Sequence, residues 1–66
     1  MLALGNKIRD RELPRKTGTI IGYGVKQFLD GLQETYLITL DQKIISEEDA
    51  LFIQHVTVDA ENAEVV

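Results

Sequence analysis

The chain has 66 residues, a net charge of -4 and no cysteine. That is room for one domain, spanning 1-66, which at this size buries only about 60% of its unfolded-state surface. Disulfide staples are excluded, and one histidine cannot by itself build a zinc site. Apolar runs stop at four residues, too few for a membrane-spanning helix or a secretory leader, so the composition predicts a soluble, cytoplasmic protein.

The charge is uneven. Residues 1–16 hold Lys7, Arg9, Arg11, Arg15 and Lys16 against Asp10 and Glu12, whereas residues 17–66 hold two lysines against nine acids. A basic start thus precedes an acidic remainder. Overall acidity argues against phosphate-backbone binding, and the basic segment alone keeps an RNA contact in view.

Taken in chain order, Gly5-Asn6 reads as a turn and Lys7 to Arg9 as a short strand. A charged loop follows around Pro14, and then a strand over Thr17 to Tyr23, where β-branched residues alternate with glycines suited to bends. Between Gly24 and Gln33, Val25, Phe28, Leu29 and Leu32 recur at spacings of three and four. Gly24 and Gly31 bracket them too tightly for a helix, so a long loop with apolar tip residues is expected.

Glu34 to Leu40 is the clearest strand: Tyr36, Ile38 and Leu40 form an apolar parity that should face inward, with Leu37 facing away. Asp41-Gln42 reads as a turn and Lys43 to Ser46 as a short strand. Two readings then compete. Ser46 with Asp49 suits an N-terminal cap for a helix starting at Glu47, whereas Ile53 to Val58 alternates as a strand after an acidic hairpin loop; the second is preferred. Asp59 to Asn62 suits a 3₁₀-like turn and Ala63 to Val66 a closing strand. The expected fold is all-β, a small barrel of five to six short antiparallel strands with a single 3₁₀-like turn before the last.

Three pieces carry a resemblance: Gly5-Asn6-Lys7-Ile8-Arg9, Lys16-Thr17-Gly18-Thr19-Ile20-Ile21-Gly22 and Glu61-Asn62-Ala63-Glu64-Val65-Val66. They resemble the opening, core and closing segments of SH3-like barrels, among them KOW-type ribosomal and transcription-factor domains and small peripheral subunits of photosynthetic electron-transfer complexes. The resemblance implies a non-enzymatic binding module that contacts another protein, as an accessory subunit of a larger assembly, or alternatively a KOW-like RNA or ribosome contact.

No residue set specifies a reaction, and no cofactor or metal is called for. His55 lacks an evident partner for general-base or ligand chemistry. The consecutive Glu47-Glu48-Asp49 lacks the alternate spacing and glycine of a calcium loop and reads as a solvated turn guarding a sheet edge. Gly18, Gly22 and Gly24 lack the lysine and following helix of a phosphate loop. The candidate binding residues are therefore Arg9, Arg11, Arg15 and Lys16 beside Tyr23, where fork donors and a ring could hold carboxylates, phosphates or bases, and the apolar Phe28 and Leu29 with Leu32. A monomer or weak oligomer is expected.

Overall fold

The computed structural model describes residues 1–46 and 51–66, with side chains described outside 43–52. Five strands form one antiparallel sheet: β1 Lys7–Asp10, β2 Thr17–Phe28, β3 Gly31–Ser46, β4 Leu51–Asp59 and β5 Ala63–Val65. A 3₁₀ turn, Ala60–Asn62, precedes β5 as expected. The order in the sheet is β4-β3-β2-β1-β5, so β4 and β5 are its two ends and the hydrogen-bonded ladder is open. Among the described residues no helix is long and apolar enough to cross a membrane.

The core forms on one face because the central inward positions of β2, β3 and β4 are apolar. Ile8, Ile20, Ile38 and Val58 are fully buried, and Tyr36 and Leu40 nearly so; Leu2, Val56, Ala60 and Ala63 pack around them. The cross-strand rows Ile20–Ile38–Val56 and Tyr36–Val58 put these side chains side by side. Each buried aliphatic residue contributes about 1.5–3 kcal/mol. Tyr36, Ile38 and Leu40 line the core, and Leu37 faces away over Gly22, as the alternation predicts.

The sheet curls strongly. Ile21 is an extra residue between the pairs Ile20–Ile38 and Gly22–Leu37, a bulge that bends β2, and a second irregularity separates Thr39 from Ile44 in β3. At one end Lys16, which leads into β2, reaches the Thr57 carbonyl of β4 at 3.4 Å, and Arg11 N–H donates to the Asn62 carbonyl at 2.9 Å, tying the loop after β1 to the 3₁₀ turn.

Two expectations are corrected. Gly24 to Gln33 is not a long loop: β2 continues to Phe28, β3 begins at Gly31, and only Leu29-Asp30 lies between them. Gly31 holds the positive φ of 132° that closes this two-residue connection, and the strands pair from Phe28–Gly31 down to Gly24–Thr35. Local apolar spacing misleads here because strand identity comes from pairing across the turn. Likewise Asp41-Gln42 is no turn but part of β3, which joins the two strands expected at Glu34–Leu40 and Lys43–Ser46 into one, giving five strands among the described residues. The acidic triplet Glu47 to Asp49, and with it the choice between helix cap and hairpin loop, lies outside the described residues; β4 does start at Leu51, opposite Ser46.

Candidate functional site

The loop between β1 and β2 is built on Asp10, whose buried carboxylate accepts the N–H groups of Glu12 at 2.8 Å and Leu13 at 3.2 Å. Lys16 N–H donates to the Leu13 carbonyl at 2.8 Å, and the Thr17 hydroxyl donates to the Pro14 carbonyl at 2.6 Å. These bonds satisfy a turn that would otherwise leave its amides open.

The basic side chains of Arg9 in β1 and of Arg11, Arg15 and Lys16 in this loop go to four different elements. Arg9 Nε pairs with Glu64 Oε1 of β5 at 2.9 Å, and the Arg11 guanidinium donates to the Glu61 carbonyl in the 3₁₀ turn. Lys16 reaches toward β4, and Arg15, with Pro14 and Thr17, lines a shallow cavity of about 260 Å³ against Asp41 and Gln42 of β3. Nearby, Lys7 forms an ion pair with Asp41.

Tyr23 does not join this group. Its ring meets Tyr36 edge-on, with centroids 5.8 Å apart at 62°, and its hydroxyl donates to the Leu2 carbonyl at 2.6 Å. Leu2 N–H in turn donates to the Tyr36 hydroxyl at 3.0 Å, so two tyrosines hold both backbone polar groups of one residue. His55 is exposed on the outer face opposite Thr39, and no cluster of metal-ligating side chains occurs among the described residues.

The other candidates collect on the β2–β3 hairpin. β1 pairs with β2 only over Thr17–Thr19, and β4 joins β3 only from Thr35 onward. Val25–Phe28 of β2 and Gly31–Glu34 of β3 therefore extend as a two-stranded arm, a form with little stability of its own. Leu29 at the turn is fully exposed, Leu32 is 68% exposed and Val25 67%. Phe28 is half-buried, with Lys26 Nζ 5.2 Å from its ring centroid.

The bulge at Ile21 shifts the parity of β2, so that Tyr23, Val25 and Gln27 lie opposite Tyr36, Glu34 and Leu32. The face that carries the core thus continues onto the arm, where the chain leaves it uncovered. Reading the sequence misses Val25 and Glu34 as site residues; the Asp30-Gly31 pair, a hairpin-turn signal, points to them. No family model matches the chain, and neither a curated protein nor a solved structure does.

Proposed function

We propose that this chain is a non-enzymatic protein-binding module, an accessory part of a larger assembly, which docks through the β2–β3 arm. The observation that carries the reading is the exposure of Val25, Leu29 and Leu32 on a ribbon that extends the apolar face of the sheet. Large apolar side chains grouped on a projecting element are characteristic of interaction surfaces. An SH3-like architecture is supported by the strand order, the antiparallel β1–β5 pairing and the 3₁₀ turn before β5. The RNA-contacting alternative has less behind it, because Arg9 is paired with Glu64 and Arg11 with the Glu61 carbonyl.

The test compares two variants of the full chain as bait in its native host: Leu29→Ser with Leu32→Ser on the arm, and Arg15→Glu with Lys16→Glu on the basic loop. Co-purifying protein should be lost with the first and kept with the second. The reverse pattern, or salt-sensitive recovery of RNA, overturns the docking assignment.

A further inference from the structure

The arm has an open edge on the β3 side. The pairing of β4 with β3 ends at Thr35–Asp59, where the chain turns away into Ala60–Asn62, and among the described residues no backbone hydrogen bond reaches Gly31–Glu34 from that side. Beside this edge Gln33, Glu34, Ala60 and Glu61 line a cleft of about 280 Å³. Neither the Glu34 nor the Glu61 carboxylate has a hydrogen-bonding or ionic partner among the described residues, since Arg11 meets Glu61 through its backbone carbonyl. Leu32 shares the Glu34 face of the ribbon, two residues away, and Lys26 lies on the opposite face, against Phe28.

The geometry points to strand addition at Gly31–Glu34 by an extended segment of a partner protein that alternates aliphatic and basic residues on one face. This rests on the docking reading and narrows it to one chemical class. The open backbone groups of β3 supply the hydrogen bonds of an added strand, and side chains two apart on that strand stand beside Leu32 and beside Glu34. An aliphatic side chain covers Leu32. An arginine or lysine next to Glu34 enters the cleft, where Glu61 provides a second carboxylate. A second copy of the chain suits this edge poorly: antiparallel pairing of two such edges brings Asp30 of each copy near Glu34 of the other, setting acid against acid.

The experiment titrates the ¹⁵N-labelled full chain with two end-capped heptapeptides of alternating threonine and valine, one with a central arginine and one with a central glutamate, following amide shifts. The arginine peptide should move the amides of Gly31 to Glu34 and Glu61 and bind at least about tenfold more tightly than the glutamate peptide. In the Glu34→Lys, Glu61→Lys chain the preference should reverse. Should the variant fail to fold, the two peptides on the unchanged chain decide alone. Equal binding of both peptides at the arm overturns the basic-partner assignment and leaves docking intact. No shift in the arm with either peptide counts against arm docking itself. Shifts of the same amides with protein concentration alone identify a second copy as the occupant and also overturn the proposal.

Discussion

Gly18 of β2 stands so close to Thr39 of β3 that a methyl group at position 18 would run into the Thr39 carbonyl, with the Leu40 Cα only 2.9 Å away. The obstacle is backbone in the middle of the sheet and cannot swing aside. Gly18→Ala should therefore cost about 3 kcal/mol or prevent folding, at the upper end of overpacking effects. At Gly22 the nearest atoms are Leu37 side-chain carbons at 3.7 Å, ordinary contact, so Gly22→Ala should be tolerated. Urea melts of the two variants check the contrast, and similar midpoints would contradict it.

Ile38 is fully buried, between Ile20 and Val56, whereas Leu37 on the outer face is half-exposed. Ile38→Ala should destabilise by about 2–5 kcal/mol, a large part of what a domain of this size holds. Leu37→Ala should cost about 1 kcal/mol. Denaturant midpoints that rank Leu37→Ala as the more damaging would invert the register of β3.

The clamp on Leu2 makes a prediction about coupling. Tyr36→Phe removes the acceptor of a partly buried N–H and should cost about 1–3 kcal/mol, while Tyr23→Phe, at an exposed bond, should cost about 1 kcal/mol or less. Because both hydroxyls hold one residue, the double variant should lose less than the sum. Thermal melts of the four proteins measure this, and strict additivity would show that the two bonds act independently.

Asp10 organises the loop that carries the basic residues. Asp10→Ala deprives the Glu12 and Leu13 amides of their acceptor and should cost about 1–3 kcal/mol, whereas Asp10→Asn keeps an oxygen there and should retain part of the stability. Equal losses in the two variants would assign the effect to charge rather than to hydrogen bonding.

The alternation within Glu34 to Leu40, the strands at Lys7 and Thr17, the short turn after Asp59 and the closing strand at Ala63 were all legible in the amino-acid sequence. Each of these depends on a local pattern: a period of two that separates buried from exposed side chains, or a polar stretch too short for anything but a tight turn. The arm was not legible in this way. Val25, Phe28, Leu29 and Leu32 alternate poorly by position, and all but Leu29, which lies in the turn, belong to strands only because Gly24–Phe28 pairs with Gly31–Thr35 around that two-residue turn. The face Val25 presents was set by the single extra residue Ile21, which turns it to the side of Tyr36. Tertiary structure also decided the fate of the basic segment, directing Arg9 to Glu64, Arg11 to the Glu61 carbonyl and Lys16 to Thr57, residues more than forty positions away. A charge pattern records which side chains are basic; only pairing between distant strands determines which partners they reach.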